Sequence, residues 1–520
     1  MEKKEYIVGV DIGSSSVVMS VGKRDDKGEI TVLGVEVQEV DESVVKCGDI
    51  VNFVDLGKSI GNAKAALEEE LGLVLNDAYV GISGKSVYCV RYEDYVDITN
   101  STGCVTEREL RELRNRIDMV VPGGGDEIIS RTPLRYCMDD RQEVKNPIGA
   151  YGRKLSATYL MVLVGKQQID LVDRAMHFAQ MSVSGLCVNP TLLPQLLLNA
   201  NELEEGAMIV DLGGDVTDVS IVTGGKLWYF ASLPIGASSI NSDLHEFLRI
   251  PKRDVEQLKR KYGSAVAENI DENTSIPIKT SGRSKKQILQ RNIAEITEER
   301  LKDIISFVAR ELKESKLSTK VTGGVILTGG SAFLTDVEEL FSRELRMEVR
   351  TANILYGIDD MSQEMISALP QAVSMGLLLY GAQQSGHSKN IERPSVSHPT
   401  PPTPPTPPTT PTPPTTPEVV KPTPTPTPPS TLDEPKEEPK EKPKEESKEE
   451  PTNGGESDGE LKNGPQLPPI EEEENKENEK NEDNKKKTKQ GGKESGGNSG
   501  GGLFGGLRKW IDDVFRDDYI

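Results

Sequence analysis

Nowhere in the 520 residues does an apolar run approach the roughly 20 residues that a helix needs to cross a bilayer. The opening MEKKEYIVGV is charged and passes at once into a strand-like run, so no secretory leader is expected. Cysteine is sparse and odd in number: Cys47, Cys89, Cys104, Cys137 and Cys187, with no C-x-x-C pair. That argues against a disulfide-built fold and predicts free thiols in a reducing, cytosolic compartment. Lys and Arg number 62 against 84 Asp and Glu, a net charge of −22. A phosphate backbone calls for the opposite sign, so no nucleic-acid partner is expected. Hydrophobic residues reach only 35%, low for one globular unit of this length. The deficit is local. Residues 385–502 carry almost no large apolar side chains and cannot build a core. Residues 1–384 read as ordinary globular sequence, enough for about two to four subdomains.

What is present is a repeated pattern. Residues 6–11 read YIVGVD, followed by Ile12, Gly13, Ser14, Ser15 and Ser16 and a second apolar run. About 200 residues later, AMIVD ends at Asp211. It is followed by Leu212, Gly213, Gly214, Asp215, Val216, Thr217 and Asp218, then VSIV. Each copy is a strand, a turn containing D-x-G, and a strand. A glycine two residues after the Asp lets the chain reverse and turn backbone N–H groups toward an anion. Hydroxyls add donors without bulk. Asp11 and Asp211 at the strand ends could hold a hydrated Mg²⁺, which prefers oxygen ligands and keeps its waters. Two such hairpins facing each other would clamp a triphosphate. A third element, the short strand 325–327, runs into Thr328, Gly329, Gly330, Ser331 and Ala332 and then a helical stretch. Glycines there let a flat base lie against backbone at a helix start. Gly57-Lys58-Ser59 and Gly84-Lys85-Ser86 end like a Walker A loop, but Asn52 and Tyr79 stand where its first glycine must be.

The order VDIGSSS, VDLGGDVTD, LTGGSA resembles the actin, Hsp70 and sugar-kinase superfamily. Within it the chain resembles the bacterial cell-division protein family FtsA, over residues 6–384 and the last 18. VGISGKS at 80–86 and VKNPIGAYG at 144–152 are similar to the two edges of the subdomain called 1C in that family. Between them Leu110, Leu113, Ile117 and Val120 are spaced as one helical face, and 126–133 and 154–164 read as strands. The resemblance implies an α/β, actin-like (ribonuclease-H-like) duplicated fold with two lobes around a nucleotide cleft and an inserted α+β subdomain. The expected divisions are 1–83 (first part of subdomain 1A), 84–165 (1C), 166–384 (2A, 2B and the return to 1A), 385–502 (linker) and 503–520 (terminal helix).

It also implies ATP and Mg²⁺ as cofactors. Phosphates would be bound by Gly13, Ser14, Ser15, Ser16, Gly213, Gly214, Asp215, Val216 and Thr217, and the metal by Asp11 and Asp211 through water. Adenosine would be bound by Gly236, Glu256, Lys259, Gly329, Gly330 and Ser331. Here Glu256-x-x-Lys259 resembles the E-x-x-K helix of bacterial actins; a plain surface ion pair is the competing reading. Many members carry Lys where Ser16 stands, and Asp215 replaces a common third glycine. Gln195 is the only candidate in 189–198 to orient a water. A slow or negligible ATPase follows. The helical stretch 290–309 would belong to subdomain 2B, the docking site for the FtsZ C-terminal peptide, with Arg291 and Arg300 suited to an acidic segment. Further expected partners are copies of the chain itself, in a filament, and downstream divisome membrane proteins at subdomain 1C. A pilus-assembly relative or a small-molecule kinase of the same fold is the alternative.

The tail reads as a disordered linker followed by an anchor. Residues 399–429 are mostly Pro and Thr, favouring extended polyproline II, and mixed-charge and Gly-rich stretches follow. The last 18 residues place Leu503, Phe504, Leu507, Trp510, Ile511, Val514 and Phe515 on one helical face. With no core to join, that face needs a lipid surface or a groove. The family resemblance implies the membrane, and so a peripheral position on the cytoplasmic side of the inner membrane at the division septum.

Overall fold

The computed structural model describes residues 6–384 apart from 25–28, 280–284, 354, 360, 361 and 363–370. The expected linker and terminal helix, with Leu503, Phe504, Leu507, Trp510, Ile511, Val514 and Phe515, lie outside the described residues.

The first lobe begins with β1 (Ile7–Ile12), β2 (Ser16–Arg24) and β3 (Ile30–Glu39), then a two-residue hairpin of β4 (Val45–Lys46) and β5 (Asp49–Ile50). Helix α1 (Phe53–Leu71) follows. It starts where the Asn52 side chain accepts the amides of Val54 and Asp55, and stops at Gly72 in the left-handed conformation (φ 63°). After β6 (Asp77–Ile82) the chain leaves the lobe for the insert: β7 (Val87–Asp97), α2 (Glu107–Asp118), β8 (Asp126–Met138), β9 (Gln142–Val144) and β10 (Lys154–Gly165). It returns through α3 (Lys166–Phe178), β11 (Ser182–Val188), α4 (Asn189–Leu197) and α5 (Ala200–Glu205). The second lobe holds β12 (Ala207–Leu212), β13 (Thr217–Thr223), β14 (Lys226–Leu233), α6 (Ala237–Leu248), α7 (Lys252–Tyr262), β15 (Ser275–Lys279), β16 (Lys285–Leu289), α8 (Gln290–Glu314), β17 (Val325–Thr328), α9 (Val337–Leu345) and β18 (Val349–Thr351). Helix α10 (Ala372–Gln383) comes last.

The duplication is visible in the sheets. The first-lobe sheet runs β11-β6-β1-β2-β3, and the second-lobe sheet, read from its far edge, runs β18-β17-β12-β13-β14. In both, the hairpin strands are antiparallel and the neighbour on the other side is parallel. Strands β1 and β12 are buried along nearly their whole length, which is why they read as continuous β-branched runs and not as alternation. Between the two sheets lie α4 and α10, whose Leu192, Leu196, Met375 and Leu377 join Ile7, Tyr79, Ile209 and Ile326 in one core.

The insert is a separate four-stranded sheet, β7-β10-β8-β9, with α2 laid on it. Thr106 and Glu109 cap α2 reciprocally. The expected face is the buried one: Leu110, Leu113, Ile117 and Val120 are all at most 4% exposed. The insert is also stitched to the second lobe. The Cys89 thiol on β7 donates to the carbonyl of Phe230 on β14 and accepts its amide, both at 3.3 Å. Arg91 donates to the carbonyl of Ser315 (3.0 Å), and Lys226 to that of Leu134 (2.6 Å).

Candidate nucleotide site

Both turns close in the same way. The amide of Gly13 donates to the carbonyl of Ser16, and that of Gly213 to Val216, each at 3.0 Å. This corrects one expectation: the N–H groups of Gly13 and Gly213 hold the turns and are not offered to an anion. The amides of Ser14, Ser15, Gly214 and Asp215 make no hydrogen bond to any described residue. The turns meet. A β-carbon on Gly214 would stand 2.0 Å from the Ser15 hydroxyl oxygen. The Ser14 hydroxyl accepts the amide of Gly48 at 3.1 Å, which steadies the first turn and leaves its proton to give. Ser16 is the first residue of β2.

The other half of the second turn is committed. Thr217 is fully buried and its hydroxyl donates to the carbonyl of Ile235 at 2.8 Å; Val216 is 6% exposed. Neither side chain is placed as a phosphate ligand. Asp215 accepts the hydroxyl of Ser238, so this carboxylate is engaged by the start of α6. Gly236 sits directly against the turn. The amides of Ala237 and Ser238 donate to the carbonyls of Gly213 and Gly214 at 3.0 and 2.9 Å, and a β-carbon on Gly236 would stand 2.3 Å from the Gly214 oxygen. Gly236 therefore buttresses the second turn, where the sequence had suggested adenosine.

Three carboxylates gather at the strand ends. Burial, then the charge of Asp211, pushes Asp11 up to about 7, while the Asn189 amide pulls it back. Burial raises Asp211 to about 6. Asp218, opposite Asp211 in the hairpin, is raised to about 8 by burial, then by Asp211, with the Ser232 and Ser83 hydroxyls opposing and Asp11 adding further. Asp218 was not singled out from the sequence. The hairpin register alone would have found it, since a four-residue turn pairs positions 211 and 218.

The third motif closes on the same spot. Thr328 pairs with Asp211 across β12 and β17. Gly329 takes φ 85°, and a β-carbon there would stand 2.3 Å from the Asp211 carboxylate. Gly330 faces open space, and Ser331 is buried at 5% exposure. The chain that follows α7 is tied to the segment just beyond this motif: the amide of Ala265 donates to the carbonyl of Thr335 at 2.8 Å. On α7, Lys259 pairs with Glu256 at 2.7 Å and is 4% exposed. Burial would raise Glu256, but Lys259, Arg260 and Asn241 hold it down at about 2.

Two family models match. The model for cell division protein FtsA covers residues 208–370, and that for the SHS2 domain inserted in FtsA covers 84–163. FtsA of Pseudomonas aeruginosa is 25% identical over 404 residues, spanning 77% of this chain and 95% of its own. FtsA of Bacillus subtilis is 25% identical over 362 residues, spanning 69% and 81%. The chain is thus similar to FtsA in its second lobe, in its insert and over most of its length. Among solved structures, the PilM-PilN type IV pilus biogenesis complex aligns with a TM-score of 0.51 at 15% identity, covering 72% of this chain and 98% of that one. That likeness speaks to the actin-like fold alone.

Two residues expected to matter in this FtsA-like chain are placed elsewhere. Gln195 is on the exposed face of α4 and accepts a hydrogen bond from Gln383 at 2.9 Å, so it is not presented to the carboxylates. Arg300 is 4% exposed and forms a two-bond pair with Asp243, at 2.7 and 3.0 Å, inside the second lobe. It is structural and cannot also receive an acidic peptide. Arg291 stays partly exposed on α8 but is paired with Glu272 (2.6 Å) and Glu295 (3.3 Å). The residues present fit a nucleotide with a divalent cation: the unbonded turn amides follow Asp11 and Asp211, buried oxygen donors of the kind such a cation takes, whose pKa values are raised chiefly by burial.

Proposed function

We propose that this FtsA-like chain binds ATP with Mg²⁺ between its two hairpins and assembles with copies of itself into an actin-like filament. The filament tethers FtsZ polymers to the cytoplasmic face of the inner membrane at the division septum. The contact of Ser15 with Gly214 carries the reading, because it brings both turns and both strand-end carboxylates to one place. In it, the amides of Ser14, Ser15, Gly214 and Asp215 donate to phosphate oxygens, and Asp11 and Asp211 hold the hydrated cation. The cation supplies charge neutralisation to phosphates and carboxylates together. Gly330 leaves room for the base, and Glu256, held by Lys259, would take the ribose hydroxyls. With Gln195 elsewhere and Ser16 bringing no positive charge to the phosphates, hydrolysis is slow or negligible.

Residues 503–520 form the membrane anchor in this proposal. The helix holds three basic and four acidic residues, so each anchor relies on apolar area and is weak alone; a filament presenting many of them gains by multivalency. The FtsZ C-terminal peptide docks on the second lobe near α8, and divisome membrane proteins dock on the insert. Sedimentation with and without Mg·ATP and lipid vesicles tests this. Pelleting that needs neither nucleotide nor residues 503–520 would sink it.

A further inference from the structure

Asn189 has no assigned role, yet it is the side chain that holds Asp11. It opens α4 directly after β11 and is 5% exposed. Its Nδ2 donates to Asp11 Oδ1 at 3.0 Å. Reaching that carboxylate is not trivial, because the sheet order places β6 between β11 and β1. The amide must cross β6, and it does so over Gly81, which is paired with Cys187 on one side and with Asp11 on the other. A β-carbon at position 81 would stand 2.5 Å from Asn189 Oδ1. That oxygen is buried and has no hydrogen-bond partner among the described residues. A buried acceptor left unbonded is costly, so the fold keeps this side chain here against a local penalty.

The next residue links the site to the other lobe. The Ser220 hydroxyl on β13 donates to the carbonyl of Pro190 at 2.8 Å. Ser220 lies two residues beyond Asp218 on the strand that leaves the second turn. Asn189 and Pro190 thus form a short strut from the first carboxylate to the second hairpin. An amide suits the task. It donates to an ionised carboxylate without adding a further negative charge, and it cannot exchange a proton near neutral pH.

Resting on the ATP reading above, we propose that Asn189 is a positioning residue that fixes the Asp11 carboxylate for the divalent cation accompanying the nucleotide. Its contribution is therefore to the Mg²⁺-dependent part of nucleotide affinity.

The experiment measures ATP affinity of the full chain in Mg²⁺ and in EDTA, for wild type, Asn189→Ala, Asn189→Asp and Gly81→Ala. Loss of a residue that orients a metal ligand costs about tenfold to a hundredfold in metal affinity. Asn189→Ala and Gly81→Ala should lose affinity by that factor in Mg²⁺ and stay within about twofold of wild type in EDTA. Asn189→Asp should lose more in Mg²⁺, because it adds a like charge beside Asp11. Gly81→Ala keeps Asn189 but displaces its amide, so it separates positioning from mere presence. Equal losses in both buffers mean a structural role and overturn the proposal. Unchanged affinity in Mg²⁺ overturns it while leaving the ATP reading intact. Wild type that binds no ATP in either buffer overturns both.

Discussion

The hydroxyl of Ser15 rests against the bare α-carbon of Gly214, a contact between residues 199 positions apart that joins the turn of one lobe to the turn of the other. Ser15 can rotate, so a small group at 214 could be accommodated; a branched one could not. Gly214→Val is expected to lower Mg·ATP affinity at least tenfold by wedging the turns apart, and Ser15→Gly in the same chain should restore part of it. Titration calorimetry on the two variants checks this.

Gly236 makes the complementary case. Its added β-carbon would meet backbone, the Gly214 oxygen at 2.3 Å and the Gly213 oxygen at 2.8 Å, and backbone cannot swing away. Gly236→Ala should therefore lower the thermal midpoint by several degrees as well as weaken ATP binding. Ser15→Ala should leave the midpoint within about a degree. Thermal denaturation by circular dichroism separates them.

The carboxylate trio sets a pH dependence. Asp11, Asp211 and Asp218 titrate near 7, 6 and 8 in the folded chain against an ordinary value of 3.8. Between those limits the folded state holds protons that the unfolded state has released, so stability falls as pH rises from about 4 to 8. In nucleotide-free buffer the thermal midpoint should drop across this window. Asp218→Asn should flatten the drop and raise the midpoint at pH 8. A midpoint that climbs from pH 5 to 8 contradicts it, provided buffer and salt are matched.

Arg300 and Arg291 should behave oppositely to surface-charge intuition. Arg300→Ala strands Asp243 at 8% side-chain exposure and is expected to cost about 3–5 kcal/mol of stability, whereas Arg291→Ala should cost about 1 kcal/mol or less. Urea unfolding of the full chain measures both.

Thiol labelling reads the stitch between insert and second lobe. Burial pushes Cys89 and Cys187 each up to about 12, so both should resist alkylation at pH 8. Arg91→Ala with Lys226→Ala removes two of the bonds beside Cys89 and should speed its labelling, with Cys187 unchanged, as followed by mass spectrometry.

The repeated hairpins were legible because each is local: a buried β-branched run, a turn, and a partner strand within a dozen residues. The helix face of Leu110, Leu113, Ile117 and Val120 was legible for the same reason. What lay beyond reach was set by pairing across the chain. Arg300 looked like a surface cation until Asp243, 57 residues away, covered it. Gln195 carries the right chemistry on the wrong face of α4. Asn189, six residues earlier, sits at the carboxylate only because position 81 is a glycine on the strand between. Thr217 offered a hydroxyl, but the Ile235 carbonyl takes it.

The bonds of Cys89 with Phe230, and of Arg91 with Ser315, give the insert a mechanical character. It grows out of the first lobe yet is riveted to the second, so it ties the two together at a second place. A displacement of one lobe against the other would have to break those bonds or carry the insert's outer surface along with it.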